Sequence, residues 1–132
     1  LPDVLRLELP AEPRSVRDAR RAVSAAAARC GASVADVALC VSEAVTNAVL
    51  HAYRDRDDGS GTIRVCADVT DDGLFRVVVD DDGLGMVPRL DSPGLGLGLP
   101  TIGALAVDIA IRRRSPGSSI CMQFHATRPT CA

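Results

Sequence analysis

Lysine is absent from this 132-residue chain: all 15 basic residues are arginine. A phosphate loop of the G-x-x-x-x-G-K type depends on its lysine, and Schiff-base chemistry needs a lysine amine, so both are excluded. Aromatic residues make up only 2% against 47% hydrophobic residues, so the core must be built from Val, Leu, Ile and Ala. No apolar run approaches a membrane span and no signal-peptide pattern is visible, which points to a cytoplasmic protein with no membrane partner. No C-x-x-C spacing links Cys30, Cys40, Cys66, Cys121 and Cys131, and their number is odd. Reduced, buried thiols are expected, in preference to a disulfide framework or a zinc site. Excess positive charge is lacking too: the net charge of -2 argues against a direct nucleic-acid partner. The length bounds a single domain over 1–132 with a modest core. The first residue is Leu1, not Met, so a domain cut from a longer protein is among the expectations.

What is present is organised around residues 33–53. Val34, Val37, Ala38, Val41, Ala44, Val45, Ala48 and Val49 recur at helical spacing and form one apolar stripe. Ser33 is placed to cap this helix, with Asp36 three residues on. Glu43, Asn47 and His51 follow at i, i+4 and i+8, a polar row along one side. A carboxylate and a carboxamide one turn apart suit a base beside a divalent metal. By themselves they also fit a solvated helix face.

Before this helix, Leu5, Leu7 and Leu9 alternate as a half-buried strand ended by Pro10. Ser15 is expected to cap a first helix running to about Arg29 and closed by Gly31. Arg14, Arg17, Arg20 and Arg21 crowd its first turns, either as solvated cations or as a partner-binding patch centred on Arg17 and Arg20. After it come a strand over Ile63–Val69, an Asp71-Asp72-Gly73 hairpin turn and a strand over Leu74–Asp80. A third helix is expected from near Leu97 to Ala106, with Pro100 in its first turn. Val107, Ile109 and Ile111, then Ile120, Met122, Phe124 and Ala126, alternate as two last strands. The order is strand, helix, helix, two strands, helix, two strands. It predicts an α+β two-layer sandwich: a mixed, mostly antiparallel sheet covered on one face by three helices.

Two glycine-rich stretches complete the pattern. Asp81-x-Gly83-x-Gly85 follows a buried strand and is either a polar turn or a binding loop. In the second case Asp81 accepts a hydrogen bond from an exocyclic amine such as that of adenine. Gly94-x-Gly96-x-Gly98 opens a helix, where backbone amides favour phosphate oxygens; a structural hinge is the alternative. A dinucleotide fingerprint is disfavoured, because its last spacing and its βαβ setting are missing.

Together, the Glu43/Asn47 helix, D-x-G-x-G after a strand and G-x-G-x-G before a helix resemble the GHKL (Bergerat-fold) ATP-binding superfamily. Within it, Ser42-Glu43-Ala44-Val45-Thr46-Asn47-Ala48 with His51-Ala52-Tyr53 resembles the N-box of bacterial anti-sigma-factor serine kinases. The resemblance covers essentially the whole chain. It implies ATP and Mg²⁺ as cofactors, with Asn47 on the metal and Glu43 at the attacking hydroxyl. It further implies Asp81 on the adenine amine, Gly83 and Gly85 admitting the base, and Gly94, Gly96 and Gly98 over the phosphates. Gly117-Ser118 stands where the family has Gly-Thr, so Ser118 would support Asp81 directly or through water. Asp82 is expected to face solvent. His51 is expected to pack near the helix end, and His125 has no assigned role.

The function so implied is a serine protein kinase that phosphorylates a STAS-type anti-anti-sigma partner and sequesters a sigma factor. A homodimer through the Leu5, Leu7, Leu9 edge is a further expectation. Two alternatives stand beside it: a nucleotide-binding regulatory module without kinase activity, and the ATP-binding domain of a longer phosphatase- or sensor-linked regulator.

Overall fold

The computed structural model describes residues 4–52, 61–83, 98–113 and 117–127. The elements are β1 (Leu5–Pro10), α1 (Arg14–Cys30), α2 (Val34–Asn47), a π-helical turn (Ala48–Ala52), β2 (Thr62–Val69), β3 (Leu74–Asp81), α3 (Gly98–Leu105), β4 (Asp108–Arg113) and β5 (Ser118–His125). The five strands lie in the order β1-β2-β3-β5-β4. All four neighbouring pairs are antiparallel. The expected two-layer α+β sandwich is therefore what forms.

The strict alternation of β2 and β3 decides which face is covered. Ile63, Val65, Ala67 and Val69 on β2, and Phe75, Val77 and Val79 on β3, are all buried. Ile120, Met122 and Phe124 continue this face on β5. The helices answer with small side chains: Ala19, Val23, Ala26 and Ala27 on α1, Val37, Val41, Ala44 and Val45 on α2. Side chains this small let two helices approach closely. Each fully buried Val, Ile or Phe here contributes about 1.5–3 kcal/mol relative to exposure.

The caps explain the helix ends. Ser33 accepts a hydrogen bond from the Asp36 N–H at 3.3 Å, as its position predicts. Gly31 adopts a left-handed φ of 71°, and the Ala32 N–H returns to the Ala27 carbonyl at 2.9 Å, closing α1. Ser15 does not cap α1. Pro13 holds that position, and Ser15 lies inside the helix, fully buried, donating its hydroxyl to the Pro10 carbonyl at 2.6 Å. Its polarity is satisfied by the end of β1, which ties strand to helix. The Asp71-Asp72-Gly73 turn forms as expected, with Gly73 at φ 82° and the Gly73 N–H on the Thr70 carbonyl at 2.9 Å.

The third helix forms as expected, over Gly98–Leu105 with Pro100 in its first turn. Three further expectations need correction. The second helix is α-helical only to Asn47, then widens into the π turn. On β4 Ile109 is half-buried and Ile111 exposed, because β4 is the outermost strand and α3 is short; Val107, just before the strand, is exposed too. Cys30 is disulfide-bonded, so the expectation of reduced thiols fails there; Cys40 and Cys121 carry free thiols.

Candidate functional site

The site begins where β3 ends. Asp81 is the last residue of the β3 ladder, paired in register with Ile63 on β2 and Ser118 on β5. Its parity places the side chain on the helix-covered face, where it is buried. A buried carboxylate must be hydrogen-bonded, and this one is. Oδ1 accepts the Gly83 N–H at 3.0 Å and Oδ2 accepts the Ser118 hydroxyl at 2.7 Å. The expected support of Asp81 by Ser118 is thus a direct hydroxyl contact.

Glycine is required beside this carboxylate. Gly117 has φ 100°, and a Cβ there would come within 2.0 Å of the Asp81 carbonyl oxygen. Gly83 is itself buried and turns the chain back onto Asp81. A carboxylate presents about four acceptor positions, and the described residues use two of them. The remaining capacity suits one more donor, as an exocyclic amine would provide.

Glu43 and Asn47 come from the helix layer. Glu43 is buried and Asn47 half-buried on α2, one turn apart. Among the described residues nothing pairs with the Glu43 carboxylate. The C-terminal half of this layer reaches the same strand as Asp81, since both α2 and the π turn contact β3. Ser42, beside Glu43, is turned back to the Ala38 carbonyl at 2.8 Å and is not part of the polar row. Cys40, fully buried one turn before Glu43, has its thiol pushed up to about 11 by burial first, then by the Asp36 and Glu43 carboxylates. It is therefore a packing residue and not a nucleophile.

Asn47 adds one neutral oxygen to this polar row, of the kind a divalent metal takes. Among the described residues no three His, Cys, Asp or Glu side chains form a metal cluster. Gly98 is the first residue of α3. Gly85, Gly94 and Gly96 lie outside the described residues. Arg17 and Arg20 are exposed on α1. Asp82 departs from expectation: it is half-exposed, but the Arg64 guanidinium holds both its oxygens at 2.9 Å. Sequence reasoning missed Arg64 entirely. Its only signal was its place on the strand preceding the D-x-G-x-G hairpin arm.

No helix among the described residues is long and apolar enough to cross a membrane. The serine-protein kinase RsbW of Bacillus pumilus is 37% identical over 84 residues, which is 61% of this chain and 52% of that protein. The RsbW of Listeria monocytogenes serotype 4a is 39% identical over 84 residues, with the same 61% and 52% shares. The chain thus spans about half the length of the curated relatives it matches. A solved structure of the RsbU and RsbW domains of Rv1364c from Mycobacterium tuberculosis is similar, with a TM-score of 0.73 at 29% identity. That match covers 98% of this chain and 34% of that one. The histidine kinase domain of a blue-light activated histidine kinase from Erythrobacter litoralis shares the fold, with a TM-score of 0.61 at 22% identity over 93% of this chain and 64% of that one. The family profile described as the histidine kinase-like ATPase domain matches residues 9–124, a span that holds β2, β3 and both polar residues of α2. An aspartate buried at a strand end and braced by a glycine amide and a hydroxyl is seated inside that span, and the chain belongs to the histidine kinase-like ATPase domain family.

Proposed function

We propose that this protein is an ATP-dependent serine protein kinase of the anti-sigma-factor type. It would phosphorylate a STAS-type anti-anti-sigma protein and sequester a sigma factor, working in the cytoplasm. The observation that carries the reading is the Asp81 carboxylate, buried yet keeping acceptor capacity, on the strand that α2 packs against. The relatives' name, serine-protein kinase, supports the choice of reaction.

In this reading Asp81 accepts the adenine amine, and Ser118 and Gly83 hold its carboxylate in place. Gly83 and Gly85 leave room for the base, and Gly94, Gly96 and Gly98 present amides to the phosphates. Asn47 would hold Mg²⁺, which when bound neutralises phosphate charge. Glu43 takes the proton of the acceptor serine hydroxyl as it attacks. Phosphoryl transfer asks mainly for positioning and charge neutralisation, so this small set of groups suffices. Exposed Arg17 and Arg20, i and i+3 on α1, would meet acidic groups on the protein partner.

The deciding experiment mixes the purified protein, Mg²⁺-ATP and a STAS-type partner, and follows the mass of the partner. One added phosphoryl group on a serine is expected. Tight ATP binding without transfer to a verified partner would move the answer to a regulatory module that only binds nucleotide. One observation favours a further reading. In the mycobacterial structure the similar fold is one of two named domains and only 34% of the chain. This protein would then be the ATP-binding part of a larger regulator.

A further inference from the structure

Two consecutive carboxylates leave β3 toward opposite faces. Asp81 points to the helix-covered side, while Asp82 meets Arg64 from the open side of the sheet. Arg64 sits on β2 directly opposite Asp80. Yet its guanidinium reaches past the last rung of the ladder, to Asp82, with both Nη atoms at 2.9 Å from the two carboxylate oxygens. Asp80 Oδ1 is buried with no hydrogen-bond partner among the described residues. A buried acceptor left unmade opposes folding.

The fork-to-fork pairing fixes both distance and plane. Asp82 is the residue between Asp81 and Gly83, the two ends of the turn that brings the Gly83 N–H onto Asp81 Oδ1. Holding Asp82 therefore holds the turn. Gly117 and Ser118 meet Asp81 from the β5 side; Arg64 holds the neighbouring Asp82 from the β2 side.

We propose that Arg64 is a positioning residue for nucleotide recognition: through Asp82 it sets the Asp81–Gly83 turn, and so the preference for adenine over guanine. This rests on the reading of Asp81 as the contact to the adenine amine. Guanine carries a carbonyl where adenine carries that amine, so a well-placed carboxylate accepts one and repels the other. The pair is partly exposed, with side chains 34% and 49% accessible, so its contribution to global stability is small. Its effect belongs in the turn.

The test uses the whole chain with Arg64→Gln, Asp82→Asn and the exchanged double variant Arg64→Asp/Asp82→Arg. Three quantities are measured: Mg²⁺-ATP and Mg²⁺-GTP affinity by titration, amide exchange at Gly83, and the thermal midpoint. Each single variant should lose about tenfold of the ATP-over-GTP preference, the scale of one charge-assisted hydrogen bond, and speed Gly83 exchange, with the midpoint little changed. The exchanged pair should recover part of both. An unaltered preference in both single variants, with ATP still bound selectively by the unmodified protein, would overturn the role of Arg64 alone. Equal loss for both nucleotides together with a lower midpoint would overturn it too, as a merely structural contact. If the unmodified protein binds neither nucleotide, the adenine reading of Asp81 fails first and the proposal with it.

Discussion

Ser118 donates its hydroxyl to Asp81 at 2.7 Å from the position directly opposite in the β3–β5 register. Both residues are buried, which raises the cost of leaving either unpaired. Ser118→Ala should cost about 1.5–3 kcal/mol, the range for a hydrogen bond to a charged group. ATP affinity should fall with it. Ser118→Thr keeps the hydroxyl and should retain most of both. Denaturant unfolding beside nucleotide titration checks this; an Ala variant as stable and as tight as the parent would deny the bond any importance.

Gly117 and Gly73 make a matched pair of glycines with positive φ. A Cβ at Gly117 would collide with the Asp81 carbonyl, whereas a Cβ at Gly73 meets nothing within 4 Å. Gly73→Ala should therefore cost only backbone strain, about 1 kcal/mol, and Gly117→Ala at least about 2 kcal/mol. The second should also weaken ATP binding. Equal destabilisation by the two would show that the close approach to Asp81 is not what selects glycine.

Glu43 and Asn47 share a helix but are assigned different work. Asn47→Ala should weaken Mg²⁺-nucleotide binding and with it phosphorylation. Glu43→Gln should leave ATP affinity nearly unchanged and slow single-turnover transfer toward the lower end of ~10²–10⁴-fold, since a loose transition state needs little proton removal. Full activity in Glu43→Gln would remove it as the base.

Cys40 gives a pH dependence with a definite sign. Burial, then Asp36 and Glu43, raise its thiol from 9.0 to about 11, so the folded state holds this proton more tightly than the unfolded chain. The resulting stability is complete below pH 9 and is lost as pH rises through about 11. Unfolding midpoints between pH 8 and pH 11 should fall more steeply in the parent than in Cys40→Ala. Parallel curves would contradict the shift.

Charge reversal at Arg17 and Arg20 should slow association with the protein partner while nucleotide binding stays intact, because exposed charges act mainly on encounter rates. An association rate untouched across salt concentrations would leave the patch without a role.

Much of this fold was legible because β2, β3 and β5 alternate cleanly and the helix stripes are regular. The Asp81–Ser118 contact was reached through family resemblance; the strand register then made it direct. Three other features depend on neighbours that one-dimensional spacing does not encode. Ser15 resembles a cap locally, yet its hydroxyl is claimed by the Pro10 carbonyl of a different element. Asp82 ends a run of three carboxylates and reads as solvated, until Arg64 arrives from the adjacent strand. Ile111 alternates like a core residue but lies on an edge strand with little above it. Cross-strand partners and edge positions are tertiary facts, and periodicity is blind to them.

The π-helical turn at Ala48–Ala52 bears on how this chain tolerates changes in length. An α-helix closes a turn in about 3.6 residues, and an i→i+5 turn holds roughly one more over a similar path. The segment after Asn47 thus stores a spare residue, and the backbone at His51 falls short of the Glu43–Asn47 row. Removing one residue from Ala48–Ala52 would return that stretch to α-helical winding and leave Glu43 and Asn47 where they are. The same deletion inside Val34–Asn47 would rotate everything beyond it by about 100° relative to the start of α2. Indel tolerance is therefore concentrated in one turn, placed immediately downstream of the residues that can least afford to move.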